Sequence, residues 1–181
     1  MKQLTISKSA GFCFGVSRAV DMVEQQAKDG KRVVTLGPII HNRHAVAHFE
    51  AMGVRVIGSP AEATDRDTVI IRSHGVRKEI YDLIESKGLT LVDATCPFVK
   101  KIHKIVLDNS SEETVTLIAG DENHPEVKGI VGHCEGECVV ISDENDVLKI
   151  KSRNFNIKNM KGGIFMKKIA KAIRFLTTLA T

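Results

Sequence analysis

Short runs of apolar, β-branched residues alternate along this chain with segments in which apolar residues recur at helical spacing. The runs are typical of buried strands, and the helical segments are typical of helices that cover a sheet. A glycine closes several of the helical segments, as expected at a helix carboxyl terminus. This alternation predicts an α/β fold with a largely parallel sheet.

The pattern predicts seven strands and five helices. The predicted strands are "QLTIS", "RVVTL", "RVIG", "DTVIIRS", "LTLVDA", "TVTLIAG" and "CVVIS". The predicted helices are "SRAVDMVEQQAKDG", "NRHAVAHFEAMG", "RKEIYDLIESKG", "PFVKKIHKIVLDN" and "PEVKGIVGH". Because the strand–loop–helix order repeats after "DATCPF", we expect two consecutive open α/β lobes, over residues 1–95 and 96–150, followed by a divergent tail over 151–181.

Charge separates the tail from the rest of the chain. The 181 residues include 26 Lys and Arg and 22 Asp and Glu, for a net charge of +4. Eight of the basic residues and none of the acidic ones lie in 151–181, so the first 150 residues are net negative. The tail segment "GIFMKKIAKAIRFLTTLAT" reads either as a basic amphipathic helix suited to an anionic membrane or as a divergent, truncated end. We favour the second reading and expect the tail to pack poorly on the body.

Composition excludes several classes of function. The chain has no Trp and one Tyr, which argues against a base-stacking nucleic-acid surface. No apolar run is long enough to span a bilayer. Four cysteines without an export signal suggest a reducing, cytoplasmic compartment, where metal binding or catalysis is the commoner use of cysteine.

Residues able to do chemistry recur at one structural position, the turn from a predicted strand into a predicted helix. They are Cys13, His41, His74, Cys96, His124 and Glu126. In an open parallel sheet this is the ligand-binding edge, where helix N-termini attract negative charge. The shared position therefore predicts a site for thiolate-bound metal and for a phosphate or diphosphate.

The ordered motifs "GFCFGV", "GPIIHN", "RSHGV", "DATCP" and "HPEV" resemble the 4-hydroxy-3-methylbut-2-enyl diphosphate reductase (LytB) family over residues 1 to about 150. The resemblance implies an iron–sulfur reductase of the non-mevalonate isoprenoid pathway. Such an enzyme removes the allylic hydroxyl of its diphosphate substrate with two electrons and gives isopentenyl and dimethylallyl diphosphates. The implied electron donor is a ferredoxin or a flavodoxin.

The resemblance also implies roles for individual residues. The family holds a 4Fe-4S cluster with three cysteines, of which Cys13 and Cys96 match two; the third is not identifiable in this chain. The residues matched to diphosphate binding and the pocket lining are His41, His74 and His124, and Glu126 matches the carboxylate that relays a proton to the leaving hydroxyl.

Two departures from the family pattern make us expect an incomplete form. The third family lobe, with its cysteine and its Ser-x-Asn motif, is absent, and "SRNFNIKN" stands where the family has a threonine pair. Two alternatives therefore stay open: a non-catalytic diphosphate-binding fragment, and a zinc protein that uses cysteine and histidine.

Several remaining cysteines and histidines are expected to be structural. Cys134 and Cys138 flank a glycine turn and are expected to face away from the binding edge; with His133 they lack a clear fourth zinc ligand. His44 and His48 are expected to be exposed or half-buried on a helix. His103 is expected on a solvated helix face.

Overall fold

The computed structural model describes Thr5, residues 11–40 and residues 42–146. The chain divides into two compact units, one formed by 1–75 and 82–99 and the other by 76–81 and 100–181. Apart from Thr5, which is not in a strand, the predicted strand "QLTIS" lies outside the described residues, and so does the predicted tail over 151–181. The boundary expected near residue 95 stays a prediction.

The described elements follow one another as helix and strand in almost strict alternation. In chain order they are α1 (Phe14–Lys28), β1 (Arg32–Leu36), α2 (Arg43–Ala51), β2 (Arg55–Ile57), a 3₁₀ turn (Pro60–Glu62), β3 (Asp67–Ile71), α3 (Lys78–Ser86), β4 (Thr90–Asp93), α4 (Pro97–Asn109), β5 (Val115–Ala119), α5 (Pro125–Val131) and β6 (Glu137–Ile141). Each described strand and helix lies within a few residues of its predicted bounds.

The first unit is built on a four-stranded sheet in the order β2-β1-β3-β4, in which every neighbouring pair is parallel. All five residues of β3 are buried, as expected for a central strand covered on both faces. One hydrophobic cluster of this unit draws its residues from α1, β1, α2, β3, the segments between them and the residue after β4: Ala19, Val23, Val33, Ile39, Ile40, Phe49, Val54, Ile70 and Ala94.

A buried carboxylate ties three segments together at the amino end of this sheet. Asp67 is 1% exposed and accepts hydrogen bonds of 2.9 Å from both the backbone N–H and the hydroxyl of Thr64. Arg32 and Arg55 form ion pairs with its oxygens at 3.3 and 3.0 Å. Burial alone raises the pKa of Asp67, but the Thr64 hydrogen bonds and the two guanidinium groups outweigh it, so the pKa lies below its ordinary value.

The second unit contains the parallel pair β5 and β6 together with α5 and most of α4. Its core cluster consists of Val106, Ile118, Val127 and Ile130. Both units therefore confirm the predicted α/β class with parallel strands. In neither unit does a described strand pair run antiparallel.

Candidate functional site

The first helix begins earlier than the sequence pattern predicts, and this changes the setting of Cys13. We expected the helix from Ser17, but α1 starts at Phe14, so Cys13 is its N-cap residue. The Cys13 carbonyl accepts a hydrogen bond from the Ser17 N–H at 2.9 Å, while its thiol makes no capping hydrogen bond and is exposed. The amino end of a 15-residue helix favours negative charge beside it.

Cys96 occupies the corresponding position in front of α4. Its N–H donates to the Ser73 carbonyl at 2.9 Å, which fixes the segment that leaves β4 against the segment that leaves β3. The thiol is half-buried. Pro97 follows as the first residue of α4, a position where the missing N–H costs nothing.

Cys96 packs against the first turn of α1. A β-carbon built on Gly15 would lie 2.5 Å from the Cys96 sulfur and 2.9 Å from its β-carbon, so only glycine fits there. Arg18 adds a second link, since its guanidinium donates to the Thr95 carbonyl at 3.3 Å. The segment that carries Cys96 is thus held against the helix turn that Cys13 caps.

Three phenylalanine side chains near these two cysteines in the sequence are exposed. Phe12, Phe14 and Phe98 expose 51%, 66% and 71% of their surface. Large aromatic groups left this exposed mark a surface suited to covering by another group.

The loop after β3 carries His74 and also Arg72, a residue that the sequence analysis did not single out. His74 is half-buried, and its side chain is not free of interactions with the rest of the protein. The Arg72 guanidinium lies over Gly37, which follows β1: its Nη1 is 3.1 Å from where a β-carbon on Gly37 would be. Among the described residues, the buried Arg72 Nε has no hydrogen-bond partner. Burial lowers the pKa of Arg72 because it disfavours the charged form.

A signal for Arg72 was present in the sequence. It stands directly after the apolar run "VII" that ends the strand, at the same edge position that selected His74. A cation at this edge can bind an anion. No comparable signal pointed to Gly15, whose role depends on a residue 81 positions away in the chain.

His124 and Glu126 belong to the second unit. His124 is the N-cap residue of α5, and its Nδ1 accepts a hydrogen bond from the Glu126 N–H at 3.3 Å. In a neutral imidazole this hydrogen bond leaves the proton on Nε2. Glu126 is half-buried and is the acidic residue of the first turn of α5.

The remaining predicted residues have mixed outcomes. His41 lies outside the described residues; Asn42, directly after it, caps α2 by accepting hydrogen bonds from the N–H groups of His44 and Ala45. His44 and His48 are exposed, as predicted. The expectation for His103 is wrong, because it is only 5% exposed and its ring stacks on that of His133 at 4.1 Å.

The zinc alternative finds no site in the described part of the chain. No three His, Cys, Asp or Glu side chains among those residues are grouped so that they could hold a metal ion. His133 instead stacks on His103, and its Nδ1 lies 2.9 Å from the Gly129 carbonyl. For an iron–sulfur cluster, Cys13 and Cys96 are ligands of the right kind, and a third cysteine ligand is not among their described neighbours.

None of the helices in the described ranges combines the length and the hydropathy needed to cross a membrane.

A comparison with protein families matches residues 4–177 to the family described as "LytB protein". The chain belongs to the LytB family. The match extends past residue 150, where we expected the resemblance to end.

Curated relatives of this LytB-family chain are named as one enzyme. This chain is 42% identical over 150 residues to the 4-hydroxy-3-methylbut-2-enyl diphosphate reductase of Alkaliphilus oremlandii. The match covers 82% of this chain and 53% of the relative. The enzyme of the same name from Clostridioides difficile is 42% identical over 139 residues, covering 76% and 50%. The LytB-family chain therefore spans about half the length of the curated relatives it matches.

Two solved structures are similar in fold. One is (E)-4-hydroxy-3-methyl-but-2-enyl diphosphate reductase, described as the terminal enzyme of the non-mevalonate pathway, with a TM-score of 0.68 and 40% identity over 81% of this chain and 53% of that one. The other, the E-1-hydroxy-2-methyl-but-2-enyl-4-diphosphate reductase of Plasmodium falciparum, has a TM-score of 0.81 and 27% identity over 95% and 55%.

Proposed function

We propose that this chain supplies about half of a 4-hydroxy-3-methylbut-2-enyl diphosphate reductase, an iron–sulfur oxidoreductase of the non-mevalonate isoprenoid pathway. The observation that carries the proposal is the packing of Cys96 against Gly15, because it brings a thiol to the helix turn that Cys13 caps. The names of the curated relatives and of the similar structures support the same reaction.

Cys13 and Cys96 would hold a 4Fe-4S cluster as thiolates. When bound, such a cluster supplies electrons and a Lewis-acidic iron to the substrate. The helix start at Cys13 favours the negative charge of a thiolate–cluster unit. A complete site needs a third cysteine ligand, which the other half of the family length would supply, and the electrons would come from a ferredoxin or a flavodoxin.

Arg72 and the proposed histidines would bind the diphosphate. Arg72 is half-buried, and its buried Nε has no hydrogen-bond partner among the described residues. Leaving such a donor unpaired is costly, and a phosphate oxygen offsets that cost. Arg72 lies beside Gly37 at the carboxyl edge of the first unit's sheet, two residues before His74. His41, four residues after Gly37, would add a second imidazole to this edge.

His124 would make a further contact to the phosphate, and Glu126 would transfer the proton. Because His124 accepts the Glu126 N–H at Nδ1, it presents its own proton at Nε2, the atom that would donate to a phosphate oxygen. Glu126 would carry a proton to the leaving hydroxyl, which eases departure of a poor leaving group.

Anaerobic reconstitution of the full chain with iron and sulfide tests this proposal. Bound iron and sulfide with the broad visible absorbance of a cluster, together with reductive dehydroxylation of the substrate, are expected when the other half of the family length is supplied. Cys13→Ser and Cys96→Ser should each abolish cluster binding, and Cys134→Ser, a matched thiol removal, should retain it. One zinc per chain without iron or sulfide would overturn the proposal.

A second candidate, a diphosphate-binding protein without catalysis, is favoured by one observation: no three His, Cys, Asp or Glu side chains among the described residues are grouped so that they could hold a metal ion. In that case pyrophosphate should bind in the absence of iron, and His41→Ala with His74→Ala should remove the affinity. Calorimetry on iron-free protein separates this candidate from the reductase. Four free thiols suit the cytoplasm for either candidate.

A further inference from the structure

Two cysteines of the second unit lie on either side of one turn and share one environment. Cys134 follows α5 and donates its N–H to the Val131 carbonyl at 3.1 Å, and Cys138 is the second residue of β6, opposite Thr116 of β5. Both are half-buried and pack against the core cluster of Val106, Ile118, Val127 and Ile130. The fold of this unit therefore turns the two side chains toward the same core.

The connection between them is held in one conformation. The Glu135 N–H donates to the hydroxyl of the buried Ser110 at 2.8 Å. Gly136 has a φ of 84° and packs onto the Ser111 carbonyl so closely that a β-carbon there would collide with it. Because the turn is held at two successive residues, the backbone positions of the two flanking cysteines are fixed relative to each other.

The two thiols are close enough to act on each other electrostatically. The Cys134 sulfur donates to the Glu135 carbonyl at 3.8 Å. Burial, followed by the neighbouring Cys134, raises the pKa of Cys138 to about 12, so Cys138 keeps its proton at neutral pH. Burial thus disfavours Cys138 as the first sulfur to react.

We propose that Cys134 and Cys138 are a redox-active pair that forms a reversible intramolecular disulfide across the Gly136 turn. The oxidant is a low-molecular-weight disulfide of the glutathione class. Cys134 loses its proton and attacks one sulfur of the oxidant, whose S–S bond breaks and releases one thiol. Cys138 then loses its proton and attacks the Cys134 sulfur, forming the internal bond and releasing the second thiol. Two protein thiols are oxidised and one external disulfide is reduced.

This chemistry is independent of the proposed reductase function. Cys13 and Cys96, the other two cysteines of the chain, lie in the first unit and are the proposed cluster ligands. The disulfide would tie the segment after α5 to β6, and α5 is the helix that begins at His124. Oxidation would thus couple the redox state of the compartment to α5, the helix that carries His124 and Glu126.

Peptide mapping after equilibration in glutathione buffers of graded oxidising strength tests the inference. It uses the full chain and a Cys13→Ser, Cys96→Ser double variant, which keeps only the pair. In both, the peptide with Cys134 and Cys138 is expected to lose two hydrogens, retain no glutathione, and recover both thiols on reduction. Glutathione remaining on Cys134 in these proteins, or two thiols that stay unmodified at every buffer ratio, would overturn it.

Single variants identify the attacking sulfur. With Cys138→Ser added to the double variant, glutathione should remain trapped on Cys134, because no second thiol expels it. With Cys134→Ser added instead, Cys138 should react at least tenfold more slowly at neutral pH, since its thiolate is scarce. Equal rates in the two single variants would contradict the assigned order. If either variant fails to fold, the wild-type map alone decides whether the pair forms a disulfide.

Discussion

The sulfur of Cys96 rests against Gly15, where a β-carbon would be 2.5 Å away. Glycine inside a helix costs about 1 kcal/mol relative to alanine, so a glycine in the first turn of α1 is unfavourable for the helix alone. The packing explains it: the missing side chain lets the segment before α4 approach the turn that Cys13 caps.

Gly15→Ala is expected to separate the two cysteines. The added methyl group would overlap the Cys96 sulfur, and relieving that overlap should cost about 1–3 kcal/mol in the free energy of unfolding, measured by urea denaturation. Iron and sulfide incorporation should fall with it. Ser17→Ala, in the same helix, adds no atom and should change neither quantity by a comparable amount. An alanine variant as stable as wild type would show that Cys96 can move away without cost.

Asp67→Asn is expected to destabilise the first unit and to flatten its acid response. Because the folded pKa of Asp67 is lowered, its contribution is fully present above the unfolded pKa and is lost as the pH falls through the folded pKa. The variant should lose about 1–3 kcal/mol at neutral pH and progressively less toward acid. Urea unfolding from pH 7 to pH values below the ordinary range of Asp measures this. A difference that grows toward acid would contradict the lowered pKa.

Gly136→Ala is expected to disrupt the turn between Cys134 and Cys138. Gly53 is a matched control, since both glycines have a φ of 84°, but a β-carbon on Gly53 would meet no atom within 4 Å. Gly53→Ala should show the backbone cost alone, about 1 kcal/mol, whereas Gly136→Ala adds a backbone collision and should cost clearly more. If urea denaturation shows equal losses of stability for Gly136→Ala and Gly53→Ala, the Ser111 carbonyl can move aside without an energetic cost.

Arg72→Gln is expected to weaken pyrophosphate binding by about 10- to 100-fold, as the loss of one charge-assisted hydrogen bond predicts. Titration calorimetry of the iron-free chain measures the affinity. Arg66→Gln removes the same charge from an exposed position in the loop before β3 and serves as the control. Equal affinities for the Arg72 and Arg66 variants would exclude a direct role for Arg72, even if His74→Ala abolishes binding.

Local pattern was sufficient for most elements because strands and helices are encoded by short-range periodicity. The sequence placed "RVVTL" and "PFVKKIHKIVLDN" at the bounds that β1 and α4 have. It placed the start of α1 three residues too late, since the glycines around Cys13 read as a loop. It also placed His103 in solvent, because the charged neighbours of His103 on α4 are typical of an exposed helix face. In the structure His103 is buried beside His133.

By itself, the sequence determined the α/β class, the order of elements and the recurrence of Cys, His and Glu between strand and helix, all of which depend on neighbours within about a dozen residues. Only the tertiary structure decided which distant residues touch: Cys96 with Gly15, Arg72 with Gly37, and the turn between Cys134 and Cys138 with Ser110 and Ser111. These contacts depend on how whole elements pack. A local sequence pattern cannot show that the space beside a glycine is filled by a side chain far away in the chain.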